Sequence, residues 1–405
     1  MVIVLEGIKV VETASALAGP MSGRLLADWG ADVIHVEHPM RGDVSRSQAA
    51  GRYGGRHIAS DIDYGGQNQN RNKRGMTLDL SQEYGREVIY RLLGKTDVFL
   101  SNFRQRELEK FELEYEDLRR LNPRIICANI SGYGRKGPDR NRPSYEHTSY
   151  FARSGMHHVL QMPGAPPTQV PGGLGDHVAA LALALGIMAA LLMREKTGSG
   201  QEVDVSLFHA GVFAISRDIA GSLVTGQDRQ PVDRKEISNA LMNSYQTKDG
   251  RWLWIGISQP DAYWASFCSA IERQDLEHDP RFESFEPRVE NHVALFHILE
   301  EVFRTKTLDE WRVCLNETGL LWSAVQSLTE ITADPQARAN DFFVPLDHPT
   351  YGRIEVVSSP IKLSEVPETV RMPAPEFGQH TEEILLEYGY TWENIDQFKA
   401  KGVIA

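Results

Sequence analysis

Short apolar runs of β character alternate with amphipathic stretches over the first 210 residues. IKVVET (8–13) is too short for a helix and rich in β-branched residues, so it reads as a buried strand. From Gly19 to Trp29 the apolar positions return at helical spacing, with Pro20 near the start, where a missing N–H is tolerated. DVIHVEHP (32–39), MTLDL (76–80), DVFLSN (97–102) and RIICANISGYG (124–134) repeat the strand pattern. Ser81 is placed to cap a helix running to about Leu93. A helix from Asp176 to about Lys196 precedes QEVDVSLF (201–208), a strand that turns into a helix. Strands alternating with helices predict βαβ units and a doubly wound, Rossmann-like parallel sheet, an α/β fold.

Near Thr225 the pattern changes. RWLWIGI (251–257) follows a Lys248-Asp249-Gly250 turn as a hairpin strand, and residues 260–330 read as mostly helical. Trp264, Phe267, Phe296, Phe303 and Trp311 recur there at core spacing. The expected organisation is a large domain over 1–224, a smaller α+β domain over 225–330, and a return to the large domain over 331–405. That last part carries strand character in YGRIEVVSSPIKL and ends in two short helices.

Composition narrows the class. A chain of 405 residues, 41% hydrophobic, can bury a sizeable core without staples. Cys127, Cys268 and Cys314 stand far apart with no CxxC and no zinc spacing, which predicts no structural metal and a reducing, cytoplasmic setting. Forty-three basic against 55 acidic residues leave a net charge of −12, which argues against nucleic acid or an anionic membrane as partner. The longest uncharged apolar run, residues 178–193, is short of a membrane span and flanked by Asp176 and Arg194-Glu195, so it predicts a helix buried inside the protein. The N-terminal apolar residues carry Glu6 and no basic region, unlike a signal peptide.

The familiar motifs are missing. After the first strand the glycines are Gly19 and Gly23 only, without the dinucleotide fingerprint, and there is no P-loop, HExxH or GxSxG. Three clusters remain. Arg71, Lys73 and Arg74, in NRNKRG at a loop-to-strand edge, suit phosphate groups, or a solvated loop. Asn102 and Arg104 end one strand, and Arg135-Lys136 end another, where ligands of open α/β sheets bind. In Gly172-Gly173-Leu174-Gly175-Asp176 the carboxylate is either a plain N-cap or a nucleophile in an apolar neighbourhood, and the pattern alone does not separate the two.

LAGP…LLADWGADVIHVE, NRNKRGMTLDL, NPRIICANISGYGRKGP and REKTGSGQEVDVSLF together resemble the class III CoA-transferases, along nearly the whole chain. That family includes formyl-CoA transferase, carnitine CoA-transferase and the α-methylacyl-CoA racemases. The resemblance implies Asp176 as a nucleophile that passes an acyl group through a mixed anhydride and an aspartyl-CoA thioester. It implies CoA as co-substrate, a small carboxylic acid as acceptor, and CoA contacts from Arg71, Lys73, Arg74, Asn102, Arg104 and Lys136. Leu17, Tyr145, Glu146, His147 and Gly175 are the implied acyl-site lining. It further implies two subunits interlocked as rings, identical or, as in some relatives, paired with a related chain.

The racemase alternative uses a histidine and an aspartate as two bases. Counting back from Ser154-Gly155 puts Glu146 at the racemase histidine position, with His147 one residue away, so transfer is the favoured chemistry and 1,1-proton transfer the alternative. Leu17 replaces the glutamine of formyl-CoA transferase, and only Gly256 remains of its glycine-rich loop, which points away from oxalate and formate. Leu17, Met156, His157 and Met162 suit a larger acid, branched, aromatic or succinate-like, with succinyl-CoA as donor.

Overall fold

The computed structural model describes residues 3–49, 60–366 and 370–405. The chain divides into two compact units: Met1–His158, Gln169–Asp228 and Gln336–Ala405 form unit 1, and Val159–Thr168 with Arg229–Pro335 form unit 2. Val159–Thr168, expected within the large domain, cluster with unit 2 instead.

Unit 1 is built on six parallel strands: β1 (Lys9–Glu12), β2 (Asp32–Glu37), β3 (Arg74–Thr77), β4 (Val98–Ser101), β5 (Ile126–Ser131) and β6 (Glu202–Ser206). Their order is β3-β2-β1-β4-β5-β6, so the winding reverses between β1 and β4. Neighbouring residues of one strand serve opposite faces. Val10 joins a core with Val98, Leu100, Ile126 and the helix Leu174–Thr197, while Val11 joins another with Phe99, Met76 and the helix Glu83–Leu93. Both faces are covered at β1, β2, β4 and β5, which is why these strands read as apolar runs, while the edge strand β6 is half exposed. The C-terminal helices Thr381–Glu387 and Trp392–Ala400 send Ile384, Leu385 and Phe398 into the second core, returning the tail to unit 1.

Three expectations shift. The MTLDL strand lies at Arg74–Thr77, two residues earlier. Ser81 does not cap the next helix: its hydroxyl hydrogen-bonds Asp79, and the helix begins after Gln82. The apolar run 178–193 is buried on one face only, because a helix against a sheet hides one stripe. Leu181, Leu185, Leu192 and Met193 are exposed, while Ala179, Leu183 and Ile187 are buried. By length and composition this helix passes for a membrane span, yet Arg194 is buried near its end in an ion pair with Asp97 at 2.8 Å.

Unit 2 has a three-stranded antiparallel sheet, β7 (Met242–Gln246), β8 (Trp252–Gly256) and β9 (Trp322–Ala324), packed by helices through Trp264, Phe267, Phe303 and Trp311.

Candidate functional site

The turns leaving β1, β4 and β5 meet around a cavity of about 730 Å³. Ser15–Ala18 follow β1, Asn102–Arg104 follow β4, and Ser131-Gly132 end β5; all line it, together with Tyr145, Thr148 and Asp176. This is the carboxyl edge of the sheet at the point where the winding reverses, the place where chain connections diverge and leave a crevice. The volume is ordinary for a small-molecule site. Leu17, Phe103, Phe111, Ile130 and Leu207 make much of its wall apolar.

Asp176 is the buried carboxylate in that wall, 9% exposed. It is not an N-cap. The long helix starts at Leu174 and its N-cap is Gly173, in a left-handed conformation (φ 95°), so Asp176 sits inside the first turn. The open N–H groups of that turn are satisfied from elsewhere in the chain: Glu146 accepts from the amides of Gly173, Gly175 (2.7 Å) and Asp176 (3.2 Å). Glu146 is itself 3% exposed. Burial, and then the Glu146 charge, push the Asp176 carboxyl up to about 7, and among the described residues no hydrogen bond to its oxygens offsets them. A carboxylate in a desolvating wall is a better nucleophile than one tied up in a helix cap. Gly175 has room for no side chain, since an added Cβ would lie 2.5 Å from the Tyr150 ring.

The other expected lining residues divide. Leu17 and Tyr145 line the cavity; Glu146 lies under the Asp176 turn, and His147 is largely exposed, its Nδ1 3.8 Å from Glu146. Met156 packs against the core and Met162 is exposed, and neither they nor His157 are among the lining residues.

The expected CoA contacts divide more sharply. Asn102 and Arg104 line the cavity, Arg104 carrying an ion pair with Glu107. Asn102 spends both ends of its amide on Ser15, accepting from its N–H (3.2 Å) and donating to its carbonyl (2.8 Å). Lys136 is exposed and outside the lining. Arg71 and Lys73 are fully buried: Arg71 pairs with Asp28 (2.9 Å) and donates to the Val357 carbonyl (2.8 Å). Lys73 Nζ reaches Glu12 (2.8 Å), the Pro20 carbonyl (2.7 Å) and Asn70 (2.9 Å). Arg74 pairs with Asp32 (2.6 Å) and Glu387 (2.8 Å). In this structure Arg71 and Lys73 present no donor to a ligand, because a buried cation is held by the carboxylates that neutralise it. The cations at the cavity besides Arg104 are Lys110, Arg140 and Arg142, none of which stood out in sequence. Arg142 lies over the Tyr133 ring, 5.5 Å from its centroid, with Asp139 at 3.7 Å. The signal available for the two arginines was the loop DRNRP, just after the strand-end Arg135-Lys136.

A doubly wound sheet with an apolar, cation-edged cavity at its switch point and a buried carboxylate in the wall defines an α/β protein with a small-molecule site. Residues 5–381 match CoA-transferase family III. The chain is 36% identical, over 99% of itself and of the relative, to (R)-2-hydroxy-4-methylpentanoate CoA-transferase of Clostridioides difficile. It is 32% identical to cinnamoyl-CoA:phenyllactate CoA-transferase of Clostridium sporogenes, covering 97% of this chain and 95% of the relative. A crystal structure of a CaiB/BaiF family protein from Brucella suis superposes with a TM-score of 0.83 at 29% identity, covering 95% and 98% of the two chains. The chain belongs to CoA-transferase family III and is a transferase that uses CoA thioesters as co-substrates.

Proposed function

We propose that this enzyme moves CoA from a donor acyl-CoA to a carboxylic acid with a branched or aromatic side chain, using Asp176 as a covalent relay. The Asp176 carboxylate attacks the thioester carbonyl, CoA leaves as thiolate, and a mixed aspartyl anhydride forms. The thiolate then attacks the Asp176 carbonyl and expels the donor carboxylate, giving an aspartyl-CoA thioester. The incoming carboxylate attacks that thioester, releasing thiolate and forming a second anhydride. Attack of the thiolate on the acyl carbonyl of this anhydride yields the new acyl-CoA and restores Asp176. Activation is conserved because each intermediate is itself an activated acyl group.

The observation that carries the reading is Asp176 in the cavity wall, its carboxylate relieved of capping by Glu146 and without a donor among the described residues. The acid class is supported by the apolar lining at Leu17, Phe103 and Leu207, and by relatives named for 2-hydroxy-4-methylpentanoate and phenyllactate. A dimer of identical chains is supported by the exposed face of the long helix, with Leu181, Leu185 and Leu192, and by Phe213, Leu223 and Val224 on the helices that follow. Light scattering is expected to give twice the mass of one chain; a monomer at micromolar concentration would remove the dimer from this reading.

Enzyme incubated with acyl-CoA and quenched with hydroxylamine is expected to carry a hydroxamate at Asp176, found by peptide mass spectrometry. Donors to compare are succinyl-CoA, acetyl-CoA and a branched acyl-CoA. Full turnover by Asp176→Ala would falsify the relay, and deuterium wash-in at the substrate α-carbon without any acceptor acid would replace it with proton-transfer chemistry.

A further inference from the structure

A buried chain of charges outside the cavity ends on the cavity's wall. Glu12 on β1 and His35 on β2 sit side by side because their strands pair in that register. His35 Nδ1 lies 2.6 Å from Glu12, whose two oxygens accept from Lys73 Nζ at 2.8 and 3.1 Å. Burial alone would raise the Glu12 carboxyl; Lys73 and His35 outweigh it and hold it below the usual range, so Glu12 is the acceptor and Nδ1 the donor.

The far side of the ring faces another carboxylate. His35 Nε2 and Asp43 Oδ2 are 3.6 Å apart, both deeply buried, and neither atom has a hydrogen-bond partner among the described residues. A ring that donates from Nδ1 alone would turn a lone pair toward a charged Asp43. At 3.6 Å the contact between ring and carboxyl is an electrostatic one rather than a hydrogen bond. Glu37 completes the surroundings: it accepts from the Asp43 amide at 2.9 Å and holds Arg46 with two bonds of 2.7 Å.

The other Asp43 oxygen reaches the cavity wall. Oδ1 accepts from the amides of Ser45 (2.7 Å) and Ala16 (3.1 Å). Ala16 has φ 68°, a left-handed conformation in which an alanine is strained and which persists only where the surroundings enforce it. Asn102 grips the preceding residue, Ser15, by both backbone groups. Leu17 in turn lies against Gly173, 3.9 Å from where its Cβ would stand, at the start of the Asp176 turn.

We propose that Asp43 and His35 are positioning residues: Asp43 fastens the strained Ser15–Leu17 turn, and His35 ties Asp43 to the buried Glu12–Lys73 pair, giving the acyl-facing wall one fixed shape. The proposal rests on the reading that this cavity takes the substrate. Polar buried groups are thereby used to hold backbone strain at a binding surface, where a purely apolar support could shift.

The test compares Asp43→Ala, which removes the acceptor for Ala16, with Asp43→Asn, which keeps Oδ1 for both amides and offers an N–H to His35. Asp43→Ala is expected to raise the Kd of a non-reactive 4-methylpentyl-CoA thioether and the KM of the acid about tenfold, with kcat within about threefold of the parent. The Ala16 amide also loses protection from hydrogen exchange. Asp43→Asn restores all three. His35→Gln, which reaches Glu12 but not Asp43, shows the same split at smaller size and decides the matter if Asp43→Ala does not fold. A folded Asp43→Ala with parental Kd and KM, an Asp43→Asn as defective as Asp43→Ala, or a loss confined to kcat overturns the proposal. Thioether binding is read without turnover, so this outcome is independent of whether Asp176 is labelled.

Discussion

Two basic stretches of this chain look alike in sequence and end in opposite circumstances. Arg71, Lys73 and Arg74 are folded into ion pairs with Asp28, Glu12, Asp32 and Glu387, the first two cations without exposed surface. Arg140 and Arg142, in the loop after β5, border the cavity with weaker partners at 4.0 and 3.7 Å. The difference lies in which carboxylates the fold brings up. The strands β1 and β2 and the end of the helix Ala18–Asp28 surround the first stretch with acids, and desolvation makes those pairings compulsory. The loop after β5 sees fewer, and its cations keep capacity for a ligand. Asp176 shows the same contrast among the acids: Glu12 and Asp28 are neutralised, whereas Asp176 pairs with no cation among the described residues and its carboxyl is pushed up to about 7.

The largest effect is expected at Asp176. Asp176→Asn lowers kcat by at least about 10³-fold in a transfer assay. Because the nucleophile must be ionised, kcat/KM of the parent falls below pH about 7 along an acid limb set by this group. The stability consequence has the opposite sign from a paired acid. The native state keeps a proton that the unfolded chain releases near pH 4, so unfolding free energy falls as pH rises from about 4 to about 7. Asp176→Asn removes that slope and is more stable than the parent at pH 8 by about 2–4 kcal/mol in urea unfolding. A parent with a flat profile over this range would show that Asp176 is paired after all, and the contrast with Glu12 would be lost.

Next is Arg71. Arg71→Met strands part of the Asp28 charge in the interior and is expected to cost about 3 kcal/mol of stability, with the Kd for CoA in the folded protein unchanged. Intact stability with CoA binding abolished would break the comparison by making Arg71 a phosphate ligand. The smallest effect belongs to Arg142→Ala: the unfolding midpoint stays where it is while the Kd for CoA rises about tenfold, more at low salt than at high. No change in either quantity would sharpen the cationic edge down to Lys110 and Arg140.

Much of the fold was legible. The alternation of apolar runs and amphipathic stretches located every strand of the large sheet: the inner strands are buried on both faces and leave continuous apolar signatures, while the half-exposed edge strand β6 alternates polar and apolar residues. The errors have local causes. Ser81 carried the right chemistry for a cap, but Asp79, two residues earlier, competes for its hydroxyl. The apolar run 178–193 predicts a helix buried inside the protein because its sequence is apolar all round, yet the sheet covers one stripe. The site was legible only through family resemblance: from spacing alone Asp176 stayed open between cap and nucleophile.

What the amino-acid order determined by itself was periodicity, and with it the strands, the helices and the glycine-lined approach to Asp176. Short-range chemistry suffices for these, since each depends on residues within a turn or two. What tertiary structure alone decided was the state of each charge. Glu146 caps the Asp176 helix from 30 positions upstream, Glu12 claims Lys73 across 61, and Arg71 meets Asp28 across 43. A buried charge is defined by the partner that reaches it, and that partner comes from elsewhere in the chain.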